Sequence, residues 1–165
     1  MKFTTKKLTI LGLLIALEVV FARFLSISAW NIRIGFSFLP IVLAGMLYGP
    51  IEGGIVGAIS DLIGALLFPS GPFFPGFTLS ACLTGIVFGL FLKKDQSIWR
   101  IILAVVVNQI FMSLLLNSFW ISTLYGSPFV PVLTARLVQS AIVAPVQVIV
   151  ILILKRILPS LKKML

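Results

Sequence analysis

The chain has 165 residues, 60% of them hydrophobic and 10% charged, and its mean hydropathy is +1.22. A soluble domain of this size needs far more polar surface to cover itself, so the composition excludes that class and indicates an integral membrane protein. The net charge of +9 does not signal nucleic acid, because ten of the thirteen basic residues form three clusters beside long apolar runs, where positive charge fixes orientation against the cytoplasmic face.

The first cluster is Lys2, Lys6 and Lys7, and an apolar run over 8–25 follows it. Lysines before such a run resemble a signal peptide, with Ser26 and Ser28 as a small-x-small cleavage site. Glu18 interrupts the apolar region and Arg23 sits just before the cut, so a retained helix is expected. Gly12 and Ala16 give this helix a small-residue face that suits either packing within the chain or contact with another protein. Glu18 and Arg23 are five residues apart, on different faces, which argues against a pair between them.

After a connection over 26–35, the second run covers 36–49, 14 residues that rise only about 21 Å, short of the roughly 30 Å hydrocarbon core. Pro40 weakens it further as a helix. Gly49-Pro50 turns the chain into a third run, 51–68, with Gly53, Gly57 and Gly64 on one helical face. Asp61 lies about 15 Å along it, in hydrocarbon territory, where it can pair with a base, accept hydrogen bonds from a ligand or carry a proton. The Pro/Gly-rich segment 69–76 presents Phe73 and Phe74 on a stiff backbone, suited either to stacking on a planar ligand or to anchoring at the membrane interface. A fourth run, 77–92, repeats the small-residue face with Ala81, Gly85 and Gly89.

The second basic cluster, Lys93, Lys94 and Arg100, brackets the charged connection 93–97. In the fifth run, 98–119, Gln109, Ser113, Asn117 and Trp120 fall at i, i+4, i+8 and i+11, one stripe of a helix. A connection over 120–130 contains Tyr125. The sixth run, 131–157, carries Arg136, Gln139, Ser140 and Gln147 on one stripe and ends in Lys155, Arg156, Lys162 and Lys163. Polar groups of this kind are costly in lipid; they face a polar cavity or bond to one another across helices.

Charge parity sets the topology. The amino-terminal lysines and Lys93/Lys94 should share the cytoplasmic side, which needs an even number of crossings between them. The expectation is therefore an all-α integral membrane protein of one domain spanning 1–165, with six transmembrane helices and both termini cytoplasmic. Only Arg23, Arg33 and Arg136 then carry positive charge near the outer face, a mildly cationic mouth that suits an anionic solute.

Catalytic and cofactor signals are missing. The sequence has no histidine, the commonest general base and metal ligand, and no GxxxxGK[ST] phosphate cradle. Cys82 is alone and reads as a packing residue. No catalytic residue, cofactor or metal is expected, and energy for transport must come from a partner or an ion gradient.

The stretch IRIGFSFLPIVLAGMLYGP, followed by GGIVGAISDLIGALLFPSGPFFPGFTLSA and GIVFGLFL, resembles the folate family of substrate-capture subunits, the S components of energy-coupling factor transporters. Gly57-x3-Asp61-Leu62-x-Gly64 looks common to S components; the segment from Leu67 to Ala81 is the more folate-like signature. The resemblance implies high-affinity capture of folate at the extracellular face of a bacterial plasma membrane. It implies docking on a membrane coupling protein with two ATPase subunits, and toppling of the S component to release its cargo. Gly12 and Ala16 match the family's docking face, and Val20 departs from it at the next repeat. For a ligand with a planar pterin, an aromatic ring and a dianionic tail, Arg136 with Arg23 or Arg33 is expected to meet carboxylate. Phe73, Phe74, Trp120 and Tyr125 sandwich rings, and Asn117 and Gln139 read polar edges. Asp61 joins this set. The alternatives are an S component for another planar vitamin or precursor, a non-binding structural subunit, and a proton-coupled transporter dependent on Asp61.

Overall fold

The computed structural model describes residues 4–29, 32–69 and 71–164. Helices form where the apolar runs predict them, and prolines and glycines set their ends. Helix α1 spans Thr5–Arg23. A two-stranded antiparallel hairpin follows, β1 (Ile27–Ala29) and β2 (Ile32–Ile34), with Ile27 opposite Ile34 and Ser28 opposite Arg33. The expected all-α chain therefore carries one small addition. Its alternating Ile-Ser-Ala and Ile-Arg-Ile sequences are strand-forming and too short for a helix.

Helix α2 is Phe38–Leu47, ten residues or about 15 Å, too short to cross a bilayer by itself. Pro40 does not weaken it. It falls within the first turn, where backbone N–H groups have no intrahelical acceptor to lose. Gly49, with φ 121°, makes the reversal into α3 (Pro50–Leu67). Helix α4 is Pro75–Leu92, again opened by a proline at its first position.

Helix α5 runs without a break over Ile98–Tyr125, six residues beyond the expected end. The expected connection 120–130 shrinks accordingly. Nothing between Trp120 and Tyr125 breaks a helix, and the stop is Gly126 in the left-handed region at φ 61°. The middle of α5, Asn108–Leu116, is a π-helix. Helix α6, Phe129–Met164, has 36 residues and about 54 Å of length, enough to project well beyond a bilayer core. Among the described residues, α3, α4, α5 and α6 are long and apolar enough to cross a membrane.

The bundle is organised by backbone contact. A Cβ placed on Gly53 would stand 2.6 Å from the Gly85 carbonyl oxygen, and one on Gly57 would collide with the Ala81 carbonyl. On its other flank, α4 meets α2 at Gly45 and Gly89, where a Cβ on Gly45 would lie 2.9 Å from the Gly89 nitrogen. In lipid, where apolar burial gives no drive for helices to associate, such close approach is what holds them. Gly64, grouped with Gly53 and Gly57 by spacing, meets a different helix: its missing side chain makes room for the Arg23 guanidinium of α1.

Two apolar clusters fill the rest. Phe38, Val42 and Met46 of α2 join Phe88 and Leu92 of α4, Ile101 and Val105 of α5, and Ile151, Leu154 and Leu158 of α6. Leu11 and Leu14 of α1 meet Ile41, Ala44 and Val56. At one end of the bundle Lys7 pairs with buried Glu52 at 2.6 Å, and the Lys7 ammonium lies 5.4 Å from the centre of the Tyr48 ring. Lys93 packs on Gly49 there, and Lys162 lies near Lys6 and Lys7. The start of α1, the far end of α6 and the start of the 93–97 connection thus lie at one end of the bundle.

The contact map separates two glycines that look alike in sequence. Gly85→Leu must push α3 and α4 apart and should lower the unfolding temperature in detergent sharply, since overpacking costs about 1–3 kcal/mol even where side chains can yield. Gly12 has nothing within 4 Å of its Cβ position, so Gly12→Leu should unfold like the parent in the same scan.

Candidate functional site

A cavity of about 450 Å³ opens at the end of the bundle opposite the lysines. That volume falls in the range of small-molecule sites. All six helical rods contribute to its wall. From α1 come Glu18, Ala22 and Arg23; the start of α2 gives Phe38 and Ile41; α3 gives Ser60, Asp61 and Ala65. The 71–74 segment and α4 add Phe73, Phe74, Phe77, Ser80 and Thr84. From α5 come Asn108, Gln109, Met112, Ser113, Asn117, Ile121 and Tyr125, and from α6 Arg136, Gln139, Val143 and Gln147.

Most polar groups here are tied to a neighbour, so the wall is preorganised. The Gln109 amide donates to the Gln147 carbonyl oxygen at 3.0 Å and accepts from the Ser140 hydroxyl at 3.2 Å, joining α5 to α6. Thr84 donates to Asn108 Oδ1 at 2.9 Å, joining α4 to α5. Thr78 donates to Asp61 at 2.7 Å, joining α4 to α3. The Arg136 guanidinium reaches the Ser113 carbonyl of the π segment at 3.5 Å. Asn117 Oδ1 is buried in the wall and, among the described residues, has no hydrogen-bond donor. A buried acceptor left without a partner costs about 1–3 kcal/mol.

The π segment decides what faces inward. With more residues per turn, successive side chains advance less around the axis, and Asn108, Gln109, Met112, Ser113 and Asn117 all reach the cavity. The same geometry moves Trp120 off the wall. Its indole N–H donates to Ser80 at 3.0 Å, and its ring backs Phe74 at 5.5 Å between centroids. Trp120, expected among the ring contacts, is not among the cavity-lining residues and packs against Phe74.

Of the other expected residues, Arg136, Gln139, Asn117, Tyr125, Phe73, Phe74, Arg23 and Asp61 line one cavity. Arg33 lies in β2, and its side chain is outside the described residues. Gly12 and Ala16 are exposed on α1 and are not among the residues that line this cavity. Sequence reasoning included Asp61 in the site but not Glu18, which is 7% exposed and lines the cavity alongside Asp61, Arg23 and Arg136. It also passed over Asn108 and the pair Ser80 and Thr84. The signal for that pair was present: two hydroxyls at i, i+4 on the face of α4 that carries Phe77.

Comparison with known proteins places this architecture. Residues 6–155 match the family model described as ECF transporter, substrate-specific component. Similar curated proteins include the folate transporter FolT of Clostridium novyi (strain NT), 44% identical over 142 residues that cover 86% of this chain and 83% of that protein. The FolT of Leuconostoc mesenteroides is 31% identical over 154 residues, covering 89% of this chain and 83% of that one. A crystal structure of FolT bound with folic acid superposes with a TM-score of 0.84 at 39% identity, covering 88% of this chain and 91% of that one. With the family model running nearly end to end and the fold shared with a solved relative, this chain belongs to the substrate-specific components of ECF transporters.

Proposed function

We propose that this protein captures folate at the outer face of a bacterial plasma membrane and delivers it through an ATPase-driven coupling module. The observation that carries the proposal is the cavity itself, open at the end away from the lysines, in a chain similar throughout to FolT relatives, one of them solved with folic acid. In this reading all six helical rods lie in the bilayer as one membrane domain, the short α2 shielded by its neighbours. Both termini are cytoplasmic because Lys6, Lys7, Lys93 and Lys162 gather at one end.

The wall chemistry suits the ligand in parts. Asn117 Oδ1 is an acceptor for a ring N–H of the pterin, and Gln139 and Asp61 offer further polar edges. Phe73 and Phe74 enclose aromatic rings, with Trp120 stiffening Phe74, and Tyr125 closes the rim near Gly71, where a Cβ would lie 3.1 Å from its hydroxyl. Arg136 and Arg23 meet the carboxylates by charge-assisted hydrogen bonds. Glu18 and Asp61 partly balance these arginines, which keeps the empty cavity from carrying a large uncompensated charge.

Docking uses the outer face of α1. Gly12 and Ala16 are exposed there, between Leu8 and Leu13, each 61% exposed, and Val20 at 43%. A small-residue face open to the bilayer allows close approach by a helix of the coupling protein.

Purified protein titrated with folate should show saturable binding in roughly the nanomolar range, about −12 kcal/mol, with no saturation by riboflavin or thiamine in parallel. Saturation by one of those instead would keep the architecture and replace the vitamin. Arg136→Ala should weaken folate binding about tenfold to a hundredfold, the worth of hydrogen bonds to a charged group; unchanged affinity removes Arg136 from the site. Gly12→Leu should leave folate affinity intact and reduce uptake in vesicles that contain the coupling module, whereas equal uptake would place docking elsewhere.

A further inference from the structure

At the end of the bundle opposite the lysines, the last turns of α1 and α3 lie side by side. Phe24 and Phe68, each the residue just past its helix, meet edge to face with ring centroids 5.3 Å apart. One turn back along α3, at Gly64, the Arg23 guanidinium occupies the space a side chain would take. A methyl carbon on Gly64 would stand 2.7 Å from Arg23 Nε, 3.1 Å from Nη2 and 3.3 Å from Cζ. Gly64 is buried and does not line the cavity, whereas Arg23 does, together with Ala22 beside it and Asp61 from the preceding turn of α3.

Two kinds of glycine therefore occur on α3. Gly53 and Gly57 abut backbone atoms of α4, which cannot give way without moving a helix. Gly64 abuts the far end of a flexible side chain, which can. A methyl added at position 64 leaves α1 and α3 where the Phe24–Phe68 contact holds them and drives the guanidinium off its seat. A guanidinium binds carboxylate through a planar fork of donors, so its reach depends on where that plane lies. We propose that Gly64 is a positioning residue for ligand selection. By leaving room over α3 it sets the Arg23 guanidinium in the cavity wall to meet a tail carboxylate, and so favours ligands with an anionic tail. This inference rests on the folate reading above.

The test compares folic acid with its diamide, in which both tail carboxylates are carboxamides, on the parent, Gly64→Ala, Arg23→Gln and the double variant. Gly64→Ala should bind folic acid roughly tenfold more weakly, the worth of one hydrogen bond to a charged group, and bind the diamide as the parent does. Its unfolding temperature should match the parent's, because only side-chain atoms have to move. In the Arg23→Gln background Gly64→Ala should cost nothing more, since both changes remove the same interaction. An equal loss for both ligands, or a loss that persists in full without Arg23, overturns the proposal in favour of a general change in cavity shape. Unchanged affinity for folic acid in Gly64→Ala overturns it as well. The seat also has a readout without ligand: the Arg23 Nε–H resonance, assigned by its absence in Arg23→Gln, should move in Gly64→Ala. An unmoved resonance overturns the proposal whether or not folate binds. A moved resonance in a protein whose parent binds neither ligand upholds Gly64 as the seat of Arg23 and removes the folate reading alone.

Discussion

The backbone contact between α3 and α4 sets the form of this molecule. Gly53 meets Gly85, and Gly57 meets Ala81, at distances no side chain tolerates. On the other flank of α4, Gly45 meets Gly89. These contacts draw three helices together over the half of the bundle that holds the lysines. Beyond them the residues become larger and more polar: Ser60, Asp61 and Ala65 on α3, Ser80 and Phe77 on α4. The cavity begins where the glycine seam ends. A tight half and an open half are two consequences of one distribution of side-chain size along two helices.

In the open half, bilayer physics makes each polar group consequential. An amide or hydroxyl away from water must find a partner or lose free energy. The protein meets most of that demand internally, through Gln109 with Gln147 and Ser140, Thr84 with Asn108, and Thr78 with Asp61. Those bonds tie α3 to α4, α4 to α5 and α5 to α6, so the wall is already in place before a ligand arrives. Preorganisation of this kind lowers the ordering cost that binding must otherwise meet. Asn117 Oδ1, buried in the wall, has no donor among the described residues.

Much of this was legible in the sequence, for identifiable reasons. Basic clusters beside apolar runs predicted which ends come together, and Lys7, Lys93 and Lys162 do share one end. Small residues at fourfold spacing predicted close packing of the third and fourth helices within the chain, without naming their partners. Polar stripes on the fifth and sixth runs predicted that Asn117, Arg136 and Gln139 converge. What stayed hidden depends on geometry that residue spacing does not encode. The stripe on α5 assumed α-helical periodicity, and the π segment shifted the phase enough to bring Asn108 inward and take Trp120 out. Gly64 shares a face with Gly53 by spacing, yet it serves Arg23 of another helix. Residues 120–125 read as a connection because polar residues accumulate there, while the true stop is the single left-handed glycine at 126.

The central claim is that folate enters the cavity at the end opposite the lysines. Hydrogen–deuterium exchange of the purified protein, with and without folic acid, tests it most directly. The account predicts added protection over 71–77, 117–125 and 136–143, with exchange over 47–53 and 93–97 unchanged. Protection confined to the lysine end, or none at saturating folic acid, would contradict it.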